Sequence, residues 1–287
     1  MTQSNRDITI FHSPDADDAF MFYGLASGKV SVPGYTFNHE LCDIETLNQR
    51  AVAGQIDCTA VSVHSYPFLH NQFVILNCGA SMGGQDYGPR LVALTEIDIH
   101  DGKFRRIAIP GKLTSASLAL QLYLKDKGII AELVPIDFDK VQESIKNGVV
   151  DAGVIIHEGQ LTAKRDGFKI LLDLGKWWWE EHNLPLPLGV NVVNKKLGSA
   201  AIAAVAQALK GSIECALSSR TEALEYALQY GRGLSHEDAD TFVGMYVNNY
   251  TLDLGEDGRR SINLFLQKGA EYGIISQDVS TEFFLGV

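Results

Sequence analysis

Residues 8–25 read ITIFHSPDADDAFMFYGL. The β-branched and aromatic run predicts a strand over 7–12, and the apolar pattern over 18–28 predicts a helix stopped by Gly28. Between them stands His12-Ser13-Pro14-Asp15-Ala16-Asp17-Asp18, with three carboxylates in four positions. A strand running directly into a helix is the opening step of a β-α-β unit. The same step recurs at 105–124, RRIAIPGKLTSASLALQLYL, as a strand (Arg106 to Ile109), a Pro-Gly turn and a helix from about Thr114 to Leu124.

Around these two steps the elements alternate. Tyr35 to Leu41 reads as a strand, Asp43 or Thr46 opens a short helix ending at Gly54, and Cys58 to His64 is a compact buried strand. Residues 77–90 are glycine-rich and read as a loop before a strand at Leu91 to Leu94. AELVPID (131–137) and DAGVIIHE (151–158) supply two more strands, separated by a helix from Asp139 to Asn147. Residues 200–230 form an alanine-rich helical stretch, 235–272 reads as two more helices, and no strand is evident after about Val193. This order predicts an α/β, two-lobed, binding-protein-like fold with a helical C-terminal segment. Leu91–Leu94 and Val190–Val193 are the expected crossings, giving a larger lobe of residues 1–94 plus 191–287 and a smaller lobe of 95–190. Open α/β sheets bind ligands beyond the carboxyl ends of their strands, so the turns after Phe11, Val61, Ile109 and Ile156 should rim one cleft.

Composition narrows the function classes. The 287 residues are 46% hydrophobic, enough for a large core, and 24 basic against 35 acidic residues give a net charge of −11. That balance argues against a nucleic-acid partner, and an anionic ligand must be held by local dipoles and a few cations. The N-terminus lacks a basic and apolar leader, and no run of roughly 18 apolar residues is evident, so a cytoplasmic chain with no membrane partner is expected. Cys42, Cys58, Cys78 and Cys215 are too scattered for a zinc site or a redox dithiol. No motif fixes a monomer or a homodimer.

Several constellations carry chemistry, each beside a plainer reading. In the opening turn, Ser13 or Asp15 can cap the helix, with Asp17 in its first turn. Asp18, facing the strand's carboxyl end, can orient a histidine or hold a substrate hydroxyl. His12 with the three aspartates could suit a hard cation, but the spacing is not that of a calcium loop, and no metal is expected. His157 emerges from a buried strand where a histidine serves equally as a proton acceptor or as a satisfied strand-end residue; Glu158 reads as solvated or structural. PGKLTSASLA offers Lys112, Thr114, Ser115 and free N–H groups at a helix start, suited to a carboxylate, although Ser and Thr there are usually only caps. Ser62 and the glycine loop 79–88 can add hydrogen bonds in the same cleft. Of Trp177, Trp178 and Trp179, at least one should pack between lobes or line a pocket, with core packing the commoner role.

FHSPDADDAFMFYGL, LCDIETLNQRAVAGQID, AIPGKLTSASLAL, DAGVIIHEGQLT and LDLGKWWWEEHNLPLPLG together resemble the 1,4-dihydroxy-6-naphthoate synthase family of the futalosine route to menaquinone. The resemblance runs over essentially the whole chain. It implies a type II periplasmic-binding-protein fold used as a cytoplasmic enzyme: a carbon–carbon lyase acting on cyclic dehypoxanthinyl futalosine, a carboxylated small molecule, with no cofactor. It places the proton acceptor on His157, the second catalytic residue on Asp18, and substrate contacts on Ser13, Ser62, Thr114, Ser115 and Ala116. The family's S-P-C-P-N-D-T-F turn stands here as Ser13-Pro14-Asp15-Ala16-Asp17-Asp18-Ala19-Phe20, which removes a threonine hydroxyl and adds two carboxylates. Two other functions fit the same fold: chorismate dehydratase of the same pathway, against which the I-I-H-E segment argues, and a non-enzymatic solute-binding protein for a small carboxylate.

Overall fold

A computed structural model describes residues 5–99, 106–231, 233–277 and 279–286. Residues 100–105 of the expected smaller lobe lie outside these, as do 1–4, 232, 278 and 287 of the larger. The first half of the larger lobe comprises β1 (Arg6–His12), α1 (Ala16–Ala26), β2 (Tyr35–Leu41), α2 (Ile44–Val52), β3 (Cys58–Ser62), β4 (Phe73–Leu76) and β5 (Ser81–Gly83). The smaller lobe follows with β6 (Arg90–Ala93), β7 (Arg106–Ile109), α3 (Ser115–Asp126), β8 (Glu132–Pro135), α4 (Val141–Lys146), β9 (Ala152–Ile155), α5 (Gly159–Thr162) and β10 (Lys169–Asp173). The chain returns through α6 (Leu174–His182) and β11 (Leu186–Asn194) to α7 (Ser199–Ser218), α8 (Arg220–Leu228), α9 (His236–Tyr246), α10 (Asn249–Leu252), α11 (Gly255–Glu271) and β12 (Phe283–Phe284).

Two sheets result. One has the order β12-β4-β11-β3-β1-β2 with β5 beside β11, and the other β10-β6-β9-β7-β8. β6 therefore pairs inside the second sheet and β11 inside the first. The crossings are not Leu91–Leu94 and Val190–Val193 but the segments 84–89 and 174–185, each N-terminal to the expected one, which moves the lobe boundaries off 94 and 190. An apolar run does not distinguish a crossing from a buried strand, because both bury their side chains. Two further differences are the short strands β5, inside the expected glycine loop, and β12, beyond Val193. Each forms only because a longer strand offers it an edge, β11 for one and β4 for the other.

Burial explains the rest. β3 and β9 are buried at every position, as strands covered on both faces must be. α7 alone among the described residues has the length and mean hydropathy of a membrane span, although Gln207, Lys210 and Glu214 interrupt its apolar residues. One of its faces, including Ile202, Val205, Leu209 and Ile213, joins the apolar cluster around Phe20, Met21 and Phe22 of α1. That face is used by the protein's own core. All four cysteines are free thiols, with Cys58 and Cys78 buried. Trp178 is fully buried, its indole N–H donating to Ser261 Oγ at 3.1 Å, so the tryptophan run serves packing first.

The two crossings touch. Leu174 N donates to Pro89 O at 3.0 Å, and a Cβ placed on Gly175 would lie 2.1 Å from Tyr87 O and 2.9 Å from Gly88 Cα. Only glycine permits this approach. Gly175→Ala should therefore cost about 1–3 kcal/mol through overpacking, read as a lower urea midpoint.

Candidate active site

The carboxyl ends of β1, β3, β7 and β9 converge on one cleft, lined in part by Ser13, Ser62, Thr114 and Ile156, each just beyond or at the end of one of these strands. It encloses about 720 Å³ including its solvent mouth. β11 completes the wall: antiparallel to β3, it sets Gly189 opposite Ser62 and Asn191 opposite Ala60, and all four residues line the cleft. Ile44, Ala60, Leu188, Val190 and Phe242 make much of this surface apolar.

The opening turn does not cap α1 as the sequence suggested. Asp15 occupies the N-cap position, but its side chain makes no capping bond; it accepts instead from Ser13 Oγ at 2.9 Å. The Ala16 N–H is taken by Glu158 Oε1, at 3.1 Å, from the smaller lobe. Glu158 is 2% exposed, so of the two readings, solvated or structural, the second holds, as a buried bridge between lobes. A mirror bridge runs the other way. The Glu45 carboxylate of α2 accepts from Lys112 N at 3.0 Å and Leu113 N at 3.1 Å, so the turn expected to offer its N–H groups to a ligand already carries a protein carboxylate. Tyr246 Oη donates to Gln160 Oε1 at 2.8 Å, Ser115 Oγ to Leu188 O at 2.5 Å, and Arg165 pairs with Asp238 at 2.7 Å. These contacts hold the lobes closed.

Asp17 and Asp18 line the cleft and are almost wholly buried. Burial, then the neighbouring charges of Asp18, Asp15 and Glu158, push Asp17 well above the usual carboxylate range, which favours its protonated form. Burial raises Asp18 to about 6 against the hydrogen bonds from Ser13, whose N–H reaches Asp18 Oδ2 at 2.9 Å. Among the described residues no three His, Cys, Asp or Glu side chains gather as a metal would require. His12 lies behind the turn, stacked on Phe22 at 4.0 Å and bonded to His39 at 3.0 Å, and burial lowers it to about 3.

At the start of α3 the hydroxyls are already engaged. Thr114 Oγ1 donates to Gly111 O and accepts from Ser117 N, and Ser115 Oγ donates to Leu188 O while accepting from His64 N. The N–H groups of Ser115 and Ala116, the first two of the helix, are the ones helix geometry leaves over, and both residues line the cleft. Ser62 Oγ accepts from Asn48 Nδ2 at 3.1 Å, leaving its own proton to give, while its N–H donates to Asn48 Oδ1 at 2.8 Å. Asn48, fully buried on α2, is a supporting residue that the sequence gave no signal for.

His157 follows β9 as expected, but Ile156, not His157, is in the cleft wall. Its ring meets Phe138 edge-on at 5.6 Å, and Nδ1 accepts from Gly159 N at 2.9 Å, which leaves the neutral imidazole its proton on Nε2. The residue that meets the opening turn is Glu158. Asp18, read as orienting His157 or holding a hydroxyl, accepts from the Ser13 N–H, while the His157 ring meets Phe138 and the Gly159 N–H, because the chain turns immediately after β9 and sends consecutive side chains different ways.

A family model described as menaquinone biosynthesis matches residues 8–271. The chain belongs to this family. Its relatives include proteins named 1,4-dihydroxy-6-naphthoate synthase: one from Thermus thermophilus is 36% identical, covering 87% of this chain and 89% of the relative. Another, from Streptomyces coelicolor, is 32% identical, covering 93% and 94%. A crystal structure of an Archaeoglobus fulgidus protein, 40% identical, matches with a TM-score of 0.88 over 94% of this chain and 98% of that one. The alkanesulfonate-binding protein of Xanthomonas axonopodis, bound to MOPS, matches with a TM-score of 0.72 at 12% identity over 96% of both chains. That likeness shows the periplasmic-binding-protein-like fold, as the sequence led us to expect.

The cost of Asp18 can be measured. A carboxyl raised from its usual value to about 6 contributes stability that is fully present below the unfolded pKa and lost as pH rises through 6. Asp18→Asn removes the charge, so it should stabilise the chain by about 1–3 kcal/mol at pH 7.5 in urea unfolding, with the gain vanishing near pH 4.

Proposed function

We propose that this chain is a 1,4-dihydroxy-6-naphthoate synthase that forms its product from cyclic dehypoxanthinyl futalosine by carbon–carbon lysis, without a cofactor, in the cytoplasm. The observation that carries this reading is the near full-length identity with two proteins of that name. The cleft agrees with it chemically. Apolar walls suit a flat bicyclic ring system, and the free N–H pair at Ser115 and Ala116 sits at the positive end of α3, where a carboxylate is favoured despite the chain's net charge of −11. Protonated Asp17 and the Ser62 hydroxyl supply donors for oxygens of the sugar-derived portion.

In this reading His157 accepts a proton from the substrate, and aromatisation of the released naphthoate drives the fragmentation. His157 lies one residue outside the cleft wall, so the reactive arrangement requires its ring to swing off the Gly159 N–H as substrate enters. Asp18 then serves a substrate hydroxyl rather than orienting His157. Hinged closure about the two crossings excludes water and aligns these groups.

Incubation of purified protein with cyclic dehypoxanthinyl futalosine should yield 1,4-dihydroxy-6-naphthoate by mass spectrometry. No product from the wild-type chain sinks the reading. His157→Ala should lower turnover by at least about 100-fold, the range expected for losing a proton acceptor; near wild-type turnover removes His157 from the mechanism.

A further inference from the structure

β11 runs through the centre of the first sheet, and its sequence, Leu186-Pro187-Leu188-Gly189-Val190-Asn191-Val192-Val193-Asn194, is apolar except at Asn191 and its last residue. Asn191 is 3% exposed and lines the cleft. A buried amide in a central strand needs partners for both ends. One end has its partner: Nδ2 donates to Gly79 O at 2.8 Å, which fixes the orientation of the amide. Gly79 is fitted to it, with φ +76 and a position at which a Cβ would lie 2.7 Å from that nitrogen.

The other end, Oδ1, is buried and accepts no hydrogen bond among the described residues. Leaving such an acceptor unmet costs free energy, which a protein tolerates where a ligand satisfies the group. The strand opposite contributes Ala60, whose methyl group carries no donor. Asp17 and Asp18 belong to a mutually repelling cluster whose charge changes with pH, whereas Asn191 offers a neutral, fixed acceptor.

We infer that Asn191 is a specificity-determining residue whose Oδ1 accepts a hydrogen bond from a hydroxyl of the bound ligand, so that the cleft selects hydroxylated ring carboxylates over ring carboxylates lacking the hydroxyl. This rests on the naphthoate reading above and adds a residue that none of the motifs in the sequence marks. A side chain unable to accept there loses the hydroxylated ligand selectively, because the rest of the ring and the carboxylate bind elsewhere.

The test uses two probes on the full chain, 1,4-dihydroxy-6-naphthoate and 2-naphthoate, which share ring and carboxylate and differ in the hydroxyls. Affinities come from fluorescence titration of the wild type, Asn191→Ala and Asn191→Leu, the last keeping most of the side-chain volume. The wild type should prefer the dihydroxy ligand by about tenfold, the worth of one hydrogen bond, and both variants should lose most of that preference while holding 2-naphthoate as before. Binding of 2-naphthoate itself certifies that a variant has folded. A preference that survives either folded variant, or equal wild-type affinity for the two probes, overturns the assignment of Asn191 and leaves the naphthoate reading standing. A wild-type chain that binds neither probe overturns the naphthoate reading, and this inference with it.

Discussion

Two exchanged carboxylates hold this structure in its working shape. Glu158 of the smaller lobe meets the first N–H of α1 in the larger, and Glu45 of the larger lobe meets the N–H groups of Lys112 and Leu113 in the smaller. Each carboxylate sits where backbone donors would otherwise go unpaired, at the start of a helix or the turn leading into one, and charge-assisted bonds of this kind are among the stronger ones. Because the partners lie in different lobes, the bonds exist only when the lobes are closed. The walls that β1, β3, β7, β9 and β11 give the cleft are brought together by the same closure.

The arrangement concentrates negative charge. Glu158 arrives beside a turn that already holds Asp15, Asp17 and Asp18, and burial prevents water from screening them. Burial and the repulsion within the cluster favour the protonated form of Asp17, while Asp18, raised only to about 6, stays mostly ionised at physiological pH. A carboxyl such as Asp17, an ordinary acceptor on a surface, is favoured here in the form that can give a hydrogen bond. In the proposed function, the start of α3 supplies the attraction for an anionic ligand that the chain's negative charge opposes.

Closure also sorts neighbours along the chain. At 155–158 the last residue of β9 enters the core, Ile156 forms the cleft wall, His157 turns to Phe138 and the Gly159 N–H, and Glu158 crosses to α1. Four consecutive residues thus serve four different surfaces. The latch Glu158 and the proton acceptor proposed above, His157, are thus adjacent in the chain.

Periodicity and turn chemistry were sufficient to read the two α/β units, the helical C-terminal segment and the strand ends that meet at the cleft, since each depends on residues close in sequence. Ser62, Thr114 and Ser115 were legible because they lie at such strand ends and helix starts, Ser13 and Ala116 entered as contacts through the resemblance, and all five line the cleft. What sequence could not give is which polar groups are already spent. Thr114 and Ser115 look available to a ligand, yet their hydroxyls are engaged by carbonyls, in Ser115's case one lying 73 positions away. Glu158 looks like a surface carboxylate, yet its donor is 142 positions away, and Asn191 looks like a chance polar residue in a strand. Local sequence determined where backbone donors and acceptors would be exposed at the ends of elements. Only the closed tertiary structure decided which of them the protein satisfies itself, because a hydrogen bond depends on distance and angle in space and takes no account of separation along the chain.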